Sequence, residues 1–173
     1  MLYLRNDGIG LDTIEQLCRV PGVAGVKWAC PTPLRLAEAI RHNAAHIVWV
    51  GGLAESWAPP LCAMGARGFT SGLINVWPAH SVAIHAALEA GEFARANELI
   101  GVMNAFEELR SEEQNGTNVT VVKAALQLMG EDCGPTRPPS AWPLTERQMS
   151  TLRQLLESWS LLEQRPPLAR LAG

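Results

Sequence analysis

The sequence predicts an α/β fold, with four strand–helix units followed by a layer of helices. Three observations carry this. Apolar runs and amphipathic stretches alternate over residues 1–90 at a spacing of about 22 to 24 residues, with short loops between them. After Gly91 the alternation stops, and three helical patterns follow with no strand between them. The stretch Val23-Ala24-Gly25-Val26-Lys27-Trp28 is apolar except for one lysine. It reads as a strand covered on both faces, as in a parallel sheet.

In chain order, Leu2-Tyr3-Leu4 is the first strand, ended by turn chemistry in Arg5-Asn6-Asp7-Gly8. Asp12 or Thr13 can cap a helix that runs to about Arg19, with Ile14, Leu17 and Cys18 on one face. Pro21-Gly22 punctuates the start of the Lys27 strand. Leu34 to Arg41 is a second helix, with Leu34, Ala37 and Ile40 facing inward. His46 to Val50 is the third strand, stopped by Gly51-Gly52. Leu53 to Met64 reads as a helix that Pro59-Pro60 should bend or delay. Phe69-Thr70-Ser71 is the fourth strand, and a helix runs from about Ala79 to Ala90. Glu92–Glu113, Val119–Met129 and Thr145–Leu162 are the later helices. Thr145 and Gln148 have the spacing of a capping box. The division expected is 1–90, 91–163 and a frayed tail over 164–173.

At 173 residues, 47% hydrophobic and 18% charged, the chain has the size and composition of an ordinary globular domain. Its net charge of −3 provides no basic field for nucleic acid or an anionic membrane. No apolar run is long enough to span a bilayer. Met1 to Arg5 has no basic segment followed by an apolar core, so no signal peptide is read and the cytoplasm is the expected compartment. Cys18, Cys30, Cys62 and Cys133 are scattered, and His42, His46, His80 and His85 form no ligand-spaced pair. Neither a metal site nor a disulfide framework is expected.

Lys27 is the residue that invites chemistry. The chain holds two lysines, Lys27 and Lys123, against twelve arginines. A lysine at the end of an apolar strand has two readings. In the commoner one it reaches out to solvent. In the other, burial disfavours its ammonium form and the neutral amine attacks a carbonyl to form a Schiff base.

Several short motifs recur in a familiar order. They are Tyr3 after the first strand, Gly25-Val26-Lys27, Val50-Gly51-Gly52, and Gly65-Ala66-Arg67-Gly68-Phe69-Thr70-Ser71. Asn75-Val76-Trp77-Pro78, Val122-Lys123-Ala124-Ala125-Leu126 and Gly134-Pro135-Thr136-Arg137-Pro138-Pro139 follow. Together they resemble the C-terminal half of the dihydrodipicolinate synthase and N-acetylneuraminate lyase family. The resemblance covers the chain to about Leu162. It implies the C-terminal half of a (β/α)8 TIM barrel, with residues 1–90 as barrel units five to eight and an appended helical layer after them.

The resemblance also implies roles. Lys27 falls on the family's Schiff-base lysine and Tyr3 on its proton-relaying tyrosine. Barrel active sites lie at strand C-termini and in the loops beyond them, where both residues belong. Gly51 and Gly52 would sit at the barrel mouth and let substrate approach the backbone; a plain strand-end turn is the other reading. Ser71 and Asn75 are candidate polar contacts to substrate, or simple caps. Arg5 can pair with a substrate carboxylate or stay solvated in its loop. Lys123 reads as structural.

The run Tyr3-Leu4-Arg5-Asn6, with Val50-Gly51-Gly52 and Asn75, looks nearer to the 5-dehydro-4-deoxyglucarate dehydratase branch. The implied function is a class I lyase acting on pyruvate or a related 2-oxo acid, by aldol chemistry or by dehydration of a sugar acid. No cofactor is implied. The family's glycine-threonine-threonine loop, which binds the substrate carboxylate, has no counterpart here. The expectation is therefore that a further half-barrel, or a second copy in a homo-oligomer, completes the enzyme. An inactive truncated barrel, or an association module, is the competing reading.

Overall fold

A computed structural model describes residues 1–138 and 141–162. The frayed tail expected over 164–173 lies outside the described residues. Two units are distinguished, one formed by 1–71 with 80–100 and the other by 72–79 with the described residues from 101 onward.

In the first unit, β1 (Leu2–Leu4), β2 (Gly25–Trp28) and β3 (Val48–Gly51) form a parallel sheet in that order. The register sets Tyr3 opposite Lys27, and Lys27 opposite Val50. Side chains alternate across a sheet, so Leu4, Val26, Trp28 and Trp49 point to one face. That face is buried, in one cluster with Ile14, Cys18, Leu36, Ala39 and Leu61. These come from α1 (Leu11–Cys18), α2 (Pro33–His42) and α3 (Ala58–Ala63). Trp28 and Trp49 lie 6.2 Å apart in a tilted pair at its centre. The opposite face carries Tyr3, Lys27, Val48 and Val50, with Tyr3 54% and Val48 46% exposed.

Four expectations need correction. Among the described residues of the first unit, the strand of Lys27 is covered on one face and not on both, and Lys27 is half-buried. The fourth strand, expected over Phe69–Ser71, is reduced to one parallel bridge between Gly51 and Phe69. Gly51 donates to Gly68 O and accepts from Thr70 N–H, but Gly68 and Gly72 flank the bridge and glycine weakens a strand. Helix α1 begins at Gly10 as N-cap, with no side-chain cap from Asp12 or Thr13, and Leu17 is exposed. Helix α2 buries Leu36 and Ala39, while Leu34 is 74% exposed. Ile40 packs against the core as expected, and tertiary packing turns Leu36 and Ala39 inward with it in place of Leu34 and Ala37. Pro59-Pro60 do delay α3, which follows a 3-10 turn at Glu55–Trp57.

α4 (Pro78–Glu89) and α5 (Phe93–Asn115) follow. The regular part of α5 ends at Glu112, where the backbone is extended, and Glu113 and Gln114 have positive φ. In the second unit, α6 (Asn118–Leu128) and α7 (Glu146–Ser158) pack together. Trp77 stacks on Trp159 at 4.8 Å, and Phe106 meets the same indole. The Arg110 guanidinium holds Glu107 and the Asn118 backbone and side chain, and it fills the space where any side chain on Gly72 would go. Lys123 donates to the carbonyls of Cys133 and Pro135 at 3.0 and 2.9 Å, tying α6 to the loop after it.

The capping box of α7 is present, with Thr145 Oγ1 accepting from Gln148 N–H and Gln148 Oε1 accepting from Thr145 N–H. Gln148 Nε2 also donates to Glu112, as does Arg147 at 3.0 Å. These contacts, the Gln148 hydrogen bond foremost, hold the Glu112 carboxyl below its ordinary value. A carboxylate with a lowered folded-state pKa contributes stability above its unfolded pKa, and that stability is lost as pH falls through the lowered value. Glu112→Gln should therefore lower stability at neutral pH, remove this part of the fall seen on acidification below about pH 4.5, and leave the acid end little changed. Thermal unfolding of both proteins across that range checks it.

Candidate active site

The in-register pairing of β1 with β2 brings Tyr3 and Lys27 side by side on the open face of the sheet. Lys27 Nζ lies 4.5 Å from the Tyr3 ring centroid, within cation–π range. The exposed Arg5 guanidinium approaches the same ring, at 5.9 Å. The half-buried lysine meets the aromatic face of Tyr3.

The stem of Lys27 crosses the backbone where β3 ends. Gly52 N–H donates to Trp28 O at 2.7 Å, holding Gly52 beside the end of β2. A Cβ on Gly52 would lie 2.9 Å from Lys27 Cε and 2.8 Å from Ala29 Cβ. Glycine here is what lets the lysine lie flat. Gly51 serves differently: it sits in the ladder opposite Trp28, and a Cβ there would face Leu61 in the core.

Gly52→Ala should displace the lysine stem or Ala29, at a cost of about 1–3 kcal/mol. It should also slow labelling of Lys27 by a small amine-reactive reagent. Gly68→Ala, where an added Cβ meets nothing within 4 Å, serves as the control.

Ser71 donates its hydroxyl to Glu55 Oε1 at 2.6 Å. Asn75 is exposed in the second unit, where its Nδ2 donates to Gly72 O at 3.2 Å. The structure thus brings together Lys27, Tyr3, Arg5 and Gly52, and it anchors Ser71 on a residue the sequence reading passed over. Glu55 is fully buried. Its Oε1 also accepts from Ser81 at 2.5 Å, while Oε2 is buried with no hydrogen-bond partner among the described residues. A signal for it exists in the sequence: Glu55 is the sole Asp, Glu, Lys or Arg between Arg41 and Arg67.

Other nucleophiles are less suited. Burial pushes the Cys18, Cys30 and Cys62 thiols up from their ordinary values, which disfavours the thiolate. His80 is buried with its Nε2 on Leu99 O, and His42 lies at the surface between Asp12 and Glu15. Among the described residues no three metal-ligating side chains converge, and no helix is long and apolar enough to cross a membrane.

A lysine amine in its neutral form can add to a carbonyl group and form an imine, and the Lys27 amine lies on a parallel strand across a glycine and against a tyrosine. The sequence profile of the dihydrodipicolinate synthetase family matches residues 3–159. The chain belongs to this family.

Curated relatives include a probable 5-dehydro-4-deoxyglucarate dehydratase of Rhizobium rhizogenes, 29% identical over 163 residues. One of the same description from Xanthomonas campestris pv. campestris is 30% identical over 155 residues. These alignments cover 91% and 88% of this chain but 53% and 50% of the relatives. Among solved structures, dihydrodipicolinate synthase from Oceanobacillus iheyensis superposes with a TM-score of 0.83 at 34% identity, covering 91% of this chain and 53% of that one. The Bacillus clausii enzyme gives 0.83 at 31%, with 91% and 54% covered. The chain spans about half the length of the family members it matches.

Proposed function

We propose that this chain carries the Schiff-base half of a 2-oxo acid lyase, a C-terminal half-barrel in which Lys27 is the nucleophile. The observation that carries the reading is the Lys27 amine held over Tyr3 with its stem against Gly52. The amine attacks the ketone of pyruvate or a larger 2-oxo acid. Loss of water from the carbinolamine gives an iminium. That cation draws electrons from the neighbouring carbon, whose proton can then leave to form an enamine.

Tyr3 is the proton carrier during formation and collapse of the carbinolamine. Because the amine faces the ring, the phenol reaches it by rotation of one of the two side chains. Arg5, beside the same ring, is the candidate partner of the substrate carboxylate. Gly52 and Ser71 are the remaining proposed substrate-binding positions in this unit.

From the enamine two outcomes are open. A hydroxyl on the next carbon leaves as water, which is dehydration of a sugar acid. Alternatively the enamine carbon adds to an aldehyde or imine, or the reverse bond cleavage occurs. The relatives' dehydratase description favours the first. The solved synthases keep the second as its rival. In either case the remaining barrel units come from a further stretch of polypeptide or from a second copy of this chain.

Borohydride reduction in the presence of pyruvate tests the reading. The expected product is one reduced adduct, placed on Lys27 by peptide mass spectrometry. An adduct on Lys123 alone, or none once the complementary half is supplied, contradicts it. Release of water from a 4-deoxy-5-oxo sugar acid, against consumption of an aldehyde with pyruvate, separates the two outcomes.

A further inference from the structure

We propose that Glu55 is a positioning residue for Lys27. It would act through the turn between β3 and α3, and the proposal rests on the reading of Lys27 given above. The turn is short: Gly51 ends β3, Gly52 lies under the lysine stem, and Leu53 and Ala54 lead to Glu55. Ala54 has φ 60° and ψ −168°, a region that residues with a Cβ rarely occupy. A backbone held there needs a strong anchor close by. Glu55 is the next residue.

Its carboxyl supplies that anchor. Oε1 accepts hydroxyl hydrogen bonds from Ser71, just past the Phe69 bridge, and from Ser81 in α4. One buried oxygen thus ties the turn to two other segments of the same unit. A buried acidic side chain is seldom retained for packing alone, since leaving Oε2 without a partner is unfavourable. The chain accepts that cost at the point that decides where Gly52 lies, and Gly52 decides where the Lys27 stem lies. A neutral amide would preserve the anchor, because its carbonyl oxygen can accept both hydroxyls. The claim therefore concerns geometry and not the charge of Glu55.

The experiment uses the low lysine count. Reductive methylation with 13C-formaldehyde labels Lys27, Lys123 and the N-terminal amine, a spectrum simple enough to assign with Lys27→Arg. Lys27 methyl signals should be displaced upfield by the Tyr3 ring, and Tyr3→Leu should abolish that displacement. In Glu55→Ala the displacement should be lost, while Glu55→Gln should retain it. Pyruvate capture on Lys27 should slow about tenfold in Glu55→Ala and return to within about twofold of the parent in Glu55→Gln.

A folded Glu55→Ala with the parent's Lys27 signals overturns the proposal. So does a Glu55→Gln as damaged as the alanine variant, which would assign the effect to charge. If Glu55→Ala does not fold, Ser81→Ala removes one of the two anchoring donors and should partly reduce the displacement; no change there also overturns it. The methyl signals need no substrate. A parent protein that shows displaced Lys27 signals but captures no pyruvate even with the complementary half supplied defeats the lyase reading and leaves the role of Glu55 decided by the spectra.

Discussion

Lys27→Arg is expected to lose pyruvate capture by about three orders of magnitude or more, since an oriented amine carries a large effective concentration. Arginine keeps the positive charge and the long stem, so packing against Gly52 and the Tyr3 ring is largely preserved. Its guanidinium does not deprotonate in proteins and cannot attack a ketone. The variant therefore separates chemistry from stability: its unfolding temperature should stay close to the parent's. Lys123→Arg should capture pyruvate normally, because Lys123 is committed to backbone carbonyls in the second unit. Mass spectrometry of the reduced protein, with its two lysines, decides between the sites without ambiguity. Equal capture by Lys27→Arg and the parent would remove Lys27 from the mechanism.

The second large effect concerns assembly. The isolated 173-residue chain should sediment as a dimer or larger species at about 10 μM. The sheet explains why. In the first unit, helices cover one of its faces, while the other presents Tyr3 and Val48 exposed and Val50 half-buried. Among the described residues, β1 pairs with β2 alone, so its outer edge has unused backbone donors and acceptors. Such an edge recruits another strand, and an exposed apolar face recruits another surface. Two copies that bring these features together would cover both. Val48→Glu places a charge on that face and should shift sedimentation toward the monomer while leaving the core around Trp28 intact. A stable, cooperatively unfolding monomer of the parent chain would contradict the prediction.

Parts of this arrangement are legible in the amino-acid order, and the reasons are local. The parallel order of β1, β2 and β3 follows from apolar runs separated by helix-length amphipathic stretches. The capping box at Thr145 depends on two residues three apart, and the structure contains it. The phase of α2 is less legible. Leu34, Ala37 and Ile40 make a plausible stripe, but so do Leu36, Ala39 and Ile40, and tertiary packing chose the second. The strand expected over Phe69–Ser71 shrinks to a bridge because no pattern within three residues reports how many hydrogen bonds a neighbour will supply. For the site, Lys27 stands out by rarity, and Tyr3 by its place relative to it. The role of Glu55 is not legible, because its partners, Ser71 and Ser81, are 16 and 26 residues away and ordinary in composition.

The pairing of Tyr3 with Lys27 also sets which insertions and deletions the chain can absorb. Side chains in β2 alternate between the helix-covered and open faces. Losing one residue inside Gly25–Trp28 would turn the lysine inward among Ile14, Leu36 and Leu61, and bring Val26 or Trp28 out beside the tyrosine. Losing one residue between α1 and β2, in the exposed stretch around Pro21-Gly22, leaves that alternation untouched and asks only that the loop tighten. Length variation among active variants of this chain should therefore gather in that loop and stop abruptly at Gly25.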